Sequence, residues 1–139
     1  MASGLSTPGL VVTRTPLRIS FAGGGTDLPS FYRQDHGAVL STTIDKYLYV
    51  TVKRHGDIFN EKFRLNYFET ENVATIPEIK NDIARECLRL LEVEPSIYIS
   101  TVADLPANSG LGSSSSFAVG LLHALHALRG ERTSPGQLA

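Results

Sequence analysis

Among 139 residues the chain has a single cysteine, Cys87. No disulfide can close within it, so a small scaffold stapled by cysteine pairs is excluded. Cys87 falls on the apolar side of a helical repeat, which marks it as a small core residue rather than a nucleophile. Long apolar runs are missing too. The most apolar stretch, residues 117–128, is interrupted by His123 and His126 and is shorter than the ~20 residues that span a bilayer. The first nine residues have neither the basic start nor the apolar run of a secretion signal. These absences together lead us to expect a cytoplasmic protein with no membrane partner. Lys and Arg number 13 against 14 Asp and Glu, a net charge of −1. No dense cationic cluster stands out, so nucleic acid is not expected as a partner either. The 42% hydrophobic and 19% charged residues are ordinary for a globular domain.

Local patterns predict the elements. Residues 1–10 read as a disordered tail and residues 11–139 as one domain. Residues 11–21 alternate as a strand until three glycines break it at Gly23, Gly24 and Gly25. A short helix is expected over 28–34, with Asp27 as a possible cap and Pro29 in its first turn. Residues 38–54 read as a long strand in which Leu48, Val50 and Val52 alternate with Tyr47, Tyr49 and Thr51. Another strand is expected over 62–68, paired with it across a turn at Gly56 and Asp57. Ile79, Ile83, Cys87 and Leu91 recur every four residues, a helical stripe spanning 78–92. A strand follows at 96–102, then a loop at 103–112 and a helix at 113–128. Strands, helix, strand, helix make the class α+β, a mixed sheet with helices packed on one face. Thr133, Ser134 and Pro135 form a helix-start signal. The chain stops five residues after Ser134, so it is expected to be cut at the start of its next element.

The loop before the last long helix carries the chemistry. It reads Pro106-Ala-Asn-Ser-Gly-Leu-Gly-Ser-Ser-Ser-Ser116. Its glycines let the backbone bend sharply and approach a ligand. Its serines open a helix whose first amides are unpaired and whose dipole end is positive, a ready seat for phosphate. A Ser hydroxyl there can also ligate a Mg²⁺ that bridges phosphates. A plain serine-rich cap is the competing reading, but one serine would suffice for that. The chain has no Gly-Lys pair, which excludes a Walker-type loop. A dinucleotide fingerprint would need a third glycine where Ser115 stands. The earlier segment Thr15-Pro-Leu-Arg-Ile-Ser-Phe-Ala-Gly-Gly-Gly-Thr-Asp27 is a strand running into a glycine turn and an acid. Arg18 offers a planar cation suited to phosphate, and Asp27 could accept bonds from sugar hydroxyls.

The P-x-x-x-G-L-G-S-S run between a strand and a helix resembles the phosphate motif of the GHMP kinases. In the galactokinase branch the first motif is A-P-G-R-V-N-L-I-G-E-H-T-D, and Pro16, Arg18, Gly23, Thr26 and Asp27 match it without a gap. Gly24 and Gly25 replace the Glu-His pair that touches the sugar there, which argues against galactose. The R-I-S-F-x-G-G-G-T-D-L-P form, followed by A-V-L-S-T-T-I-D-K-Y, resembles the heptose 7-phosphate kinase branch.

The resemblance covers residues 12–128 and implies the N-terminal domain of a two-domain enzyme whose C-terminal domain is absent. It implies transfer of the γ-phosphoryl group of Mg-ATP to a sugar hydroxyl, with ATP and Mg²⁺ as cofactors and a sugar, D-glycero-D-manno-heptose 7-phosphate foremost, as substrate. ATP would be held by Pro106, Ser109, Gly110, Leu111, Gly112, Ser113, Ser114 and Ser115, with Ser114 on the metal. Arg18 would be catalytic, and Gly24, Gly25, Thr26 and Asp27 would bind the sugar. The family's second carboxylate lies downstream of the loop helix, where this chain has only Glu131, in no matching motif. The 139-residue chain alone is therefore expected to turn over little. Fucose or another sugar, a non-catalytic nucleotide- or sugar-binding module, and a structural or RNA-binding α+β domain are the competing readings.

Overall fold

The computed structural model describes residues 7–56, 58–107 and 109–138. Most of the expected tail lies outside these residues. Its last part is ordered, since the Gly9 carbonyl accepts the Arg54 amide at 3.1 Å and Leu10 already belongs to a strand.

Strands β1 (Leu10–Ala22) and β2 (Leu40–Arg54) form a long antiparallel pair running from Leu10 opposite Lys53 to Ala22 opposite Leu40. Between them lies a four-residue helix α1 (Pro29–Tyr32). It is shorter than the sequence suggested, and its N-cap is Leu28. Asp27 therefore does not cap it, and its carboxylate is free of that duty.

The β1–β2 ladder slips between Pro16 and Arg18. Proline brings no N–H to a ladder, and irregularities gather where pairing fails. The slip turns two consecutive residues to the helical side. Leu17 goes into the core at 1% exposure, and Arg18 lies against the start of the last long helix.

Strands β3 (Phe63–Asn66) and β4 (Thr70–Val73) form a hairpin. Strand β4 was not expected, since its alternation is too short and too polar to register. The expected pairing of β3 with β2 is wrong. Strand β5 (Ile97–Ala103) lies between them, antiparallel to β2 and parallel to β3, in the order β1-β2-β5-β3-β4. The physical reason is burial. Ile97 and Ile99 are 0% and 2% exposed, and a central strand gives them cover that an edge cannot. The predicted turn at Gly56 and Asp57 is thus a crossing connection, with Asp57 outside the described residues.

Helix α2 (Asp82–Leu90) starts later than the apolar stripe implied. Pro77 sits in a 3-10 turn at Ile76–Glu78. The Asn81 side chain then caps α2 by accepting the Ala84 amide at 3.0 Å. Ile79 is buried but lies ahead of the helix. Cys87 is buried as expected, and desolvation pushes its thiol up to about 11. Helix α3 (Ser113–Leu128) has the predicted bounds. Its Leu121, Leu125 and Leu128 meet Val50 and Val52 of β2 in the core. It approaches β1 closely at Gly120, whose carbonyl accepts the Thr13 hydroxyl at 2.8 Å. A Cβ on Gly120 would lie 2.8 Å from Thr15 Oγ1. A last short helix α4 (Pro135–Leu138) begins at the predicted proline. Among the described residues no helix is long and apolar enough to cross a membrane.

Candidate active site

The two segments singled out from the sequence meet at Arg18. The strand slip releases its main-chain N–H, which donates to the Leu111 carbonyl at 2.9 Å. Its side chain crosses Gly112, where a Cβ would stand 2.9 Å from Arg18 Cγ and 3.1 Å from Nε. Gly112 also has φ 77°, a conformation that costs a residue with a side chain about 1–2 kcal/mol. Glycine is thus required there twice over.

The α3 N-terminus follows directly. Gly112 is its N-cap and has no side chain to offer. The main-chain N–H groups of Ser113, Ser114 and Ser115 have no partner among the described residues. Three unpaired donors at the positive end of a helix dipole favour an anion. The hydroxyls of Ser114 and Ser115 are exposed and that of Ser113 half-exposed. Ser116 is different: it is 6% exposed, and its hydroxyl donates to the Pro16 carbonyl at 3.0 Å. It ties the helix to the strand at the slip. The serine run therefore divides into three residues available to a ligand and one anchor.

Arg18 also forms part of the wall of a cavity of about 420 Å³, with Gly23, Gly24, Thr26, Asp27, Tyr32, Gly37, Ala38, Val39 and Ser41. The glycine turn shapes it. Gly23 has φ 87°, and a Cβ there would lie 1.8 Å from the Ala38 carbonyl oxygen. Thr26 locks the turn by sharing its one hydroxyl proton between Gly23 O at 2.7 Å and Ala38 O at 3.2 Å. Asp27 is exposed, and its carboxylate has no partner among the described residues. Of the residues expected to meet the sugar, Gly24, Thr26 and Asp27 line the cavity and Gly25 sits just off its wall. Pro106, Ser109 and Gly110 are exposed on the loop, outside this cavity. Tyr32, Gly37, Val39 and Ser41 were not picked out as site residues. Their signal was their place after Asp27, with Val39 and Ser41 in the A-V-L-S run that carries the resemblance.

The other titratable groups fall outside the site. His126 pairs with Glu131, which folds back from beyond α3. Among the described residues no group of three potential metal ligands occurs. Glu71, 6% exposed, accepts the Tyr67 hydroxyl at 2.7 Å and the amides of Lys80 and Asn81 at 2.7 and 3.1 Å. Burial alone would raise its pKa. The Lys80 amide, the Tyr67 hydroxyl and the Asn81 amide outweigh that and hold it below its ordinary value. Glu71 is a structural clasp between β4 and the approach to α2.

A glycine turn ending in an acid, joined through one arginine to a serine-opened helix, on a five-stranded mixed sheet, defines a class. Residues 78–139 match the profile described as the GHMP kinases N terminal domain. One relative is a D-glycero-alpha-D-manno-heptose 7-phosphate kinase of Campylobacter jejuni, 33% identical over 121 residues that cover 81% of this chain and 36% of the relative. A solved D-glycero-D-manno-heptose 1-phosphate kinase from Bacteroides thetaiotaomicron is 27% identical with a TM-score of 0.66, over 84% of this chain and 41% of that one. Galactokinase from Lactococcus lactis shares the fold at a TM-score of 0.69 and 16% identity, over 95% of this chain and 36% of its own. The chain thus spans about two fifths or less of the length of these relatives.

Proposed function

We propose that this chain is the nucleotide- and sugar-binding part of a kinase that moves the γ-phosphoryl group of Mg-ATP to a hydroxyl of a sugar or sugar phosphate. The carrying observation is the double placement of Arg18. It rests on Gly112 at the phosphate loop and also lines the cavity that contains Asp27. Phosphoryl transfer depends on positioning and charge neutralisation, and a cation between a phosphate seat and a hydroxyl acceptor answers both needs.

In this reading the free amides of Ser113, Ser114 and Ser115 hold the ATP phosphates, with Pro106, Ser109, Gly110, Leu111 and Gly112 shaping the approach. The residues fit a Mg²⁺ ion, which the exposed Ser114 hydroxyl would hold. Such an ion would neutralise charge on the phosphate oxygens. Arg18 offsets charge on the transferring group. Asp27, an acceptor only, orients sugar hydroxyls. The favoured acceptor is D-glycero-D-manno-heptose 7-phosphate. Support comes from the heptose phosphate kinases among the relatives and from Gly24 and Gly25, which leave the cavity open. The test is ADP release by the protein in its full natural reading frame, with Mg-ATP and heptose 7-phosphate, fucose or galactose. Release with the heptose phosphate alone is expected. Release with fucose or galactose instead would overturn the acceptor, and ATP binding without release on any sugar would overturn the kinase.

A further inference from the structure

We infer that the glycine turn is the seat of the acceptor's own phosphate, held by the main-chain N–H groups of Gly24 and Gly25. The inference rests on the kinase reading above and gives its acceptor site a chemical identity.

The three glycines of the turn are not alike. Gly23 is demanded by its φ of 87° and by the Ala38 carbonyl, 1.8 Å from where a Cβ would stand. Neither demand applies to its neighbours. Gly24 and Gly25 lie outside the left-handed region. A Cβ on Gly24 would meet only Ser20 Oγ, at an ordinary 3.7 Å, and a Cβ on Gly25 would meet nothing within 4 Å. Packing and backbone conformation both accept a side chain at these positions. A requirement for glycine there would have to come from what enters the cavity, since a bare backbone is what a ligand can approach most closely.

The donors agree. The Thr26 N–H closes the turn onto Gly23 O at 2.9 Å, while the Gly24 and Gly25 N–H groups have no partner among the described residues. Successive free amides next to a left-handed residue form a concavity suited to an anion. The charged side chains leave this task open. Arg18, the one cation among the cavity-lining residues, lies across Gly112 and serves the transferring phosphoryl group. Asp27 has only acceptors and can hold hydroxyls but not phosphate. Its charge also opposes a dianion nearby, so the site depends on both amides.

The test uses the full-length protein with heptose 7-phosphate and the same heptose without its phosphate. Gly24→Ala, which keeps the N–H but sets a methyl group beside it, should raise KM for the phosphorylated sugar by about tenfold or more, the scale of one hydrogen bond to a charged group held out of reach. KM for the unphosphorylated sugar should rise several-fold less. Gly25→Ala, in open space, is the second variant should the first fold poorly. An equal rise for both sugars would overturn the inference, because space alone would then explain the glycines. An unchanged KM for the phosphorylated sugar would overturn it as well, and would leave the kinase reading standing. If the wild-type protein turns over neither sugar, the heptose acceptor reading fails. Calorimetric titration of the two sugars into wild-type and variant protein then decides the inference by the same comparison.

Discussion

Replacing Gly112 with alanine should damage activity far more than stability, and the structure provides a matched control. Gly112 and Gly130 have φ 77° and 78°, so alanine at either costs about 1–2 kcal/mol of backbone strain. For a chain of this size that lowers Tm by about 3–8 °C. The two sites differ in what the new methyl meets. At Gly130 it finds only Thr7 Cγ2 at 3.6 Å, an ordinary contact. At Gly112 it would stand 2.9 Å from Arg18 Cγ and 3.1 Å from Nε. The arginine must withdraw by several tenths of an ångström, and misplacement by 1 Å can cost about 100-fold in rate. The full-length Gly112→Ala protein should therefore lose about 10- to 100-fold in kcat/KM, while Gly130→Ala keeps wild-type kinetics at a similar Tm. In an Arg18→Ala background the extra kinetic cost of Gly112→Ala should disappear, because the side chain it displaces is gone. Equal kinetic losses at Gly112 and Gly130, or an undiminished loss in the Arg18→Ala background, would refute the claim that Gly112 acts through Arg18.

The serine run should separate by role. Ser116→Ala should lower stability by about 0.5–1.5 kcal/mol in chemical denaturation, since it removes the part-buried bond to the Pro16 carbonyl, whereas Ser114→Ala should leave Tm unchanged and weaken Mg-ATP binding in a calorimetric titration. Stability should also fall at both ends of the pH scale. The Glu71 carboxylate, depressed on folding, stabilises the protein above its ordinary value of 4.5, and that contribution is lost as pH falls through the lower folded value. Tyr67, pushed from 10.0 up to about 12 by burial and by its bond to Glu71, contributes below pH 10 and loses that contribution as pH rises toward 12. Denaturation midpoints measured against pH should lose the acid limb in Glu71→Gln and the alkaline limb in Tyr67→Phe.

Much of this molecule is legible from local pattern. The bounds of α3 follow from Gly112 and the run of apolar residues after it. The strand preceding Gly23 follows from alternation and three glycines. What escaped is what joins distant parts of the chain. The place of β5 between β2 and β3 is decided by the burial of Ile97 and Ile99, and no turn residue announces it. The α2 start depends on one side-chain bond from Asn81, while the apolar stripe runs on through Ile79 as if the helix continued. Glu71 reads as a surface charge until Tyr67, Lys80 and Asn81 are seen around it. At the site, both motifs were recognisable separately. Their junction was not, because Arg18 faces the loop only through a ladder slip at Pro16. Nor could four consecutive serines reveal which one is the buried anchor.

The sheet order has a consequence for how the protein emerges from the ribosome. Its middle strand, β5, comes after the other four strands of the sheet in the sequence. Until residues 97–103 appear, the nascent chain can hold β1–β2 and β3–β4 only as two separate hairpins, each with unpaired edge groups and an uncovered apolar side. Isolated hairpins are marginal in water, and exposed edges invite pairing between chains. Late arrival of β5 joins the halves, and α3 follows at once to cover them and set Gly112 beside Arg18. Folding of this domain should thus be all-or-none with respect to nascent length, its ligand seats forming together rather than in the order in which they are translated.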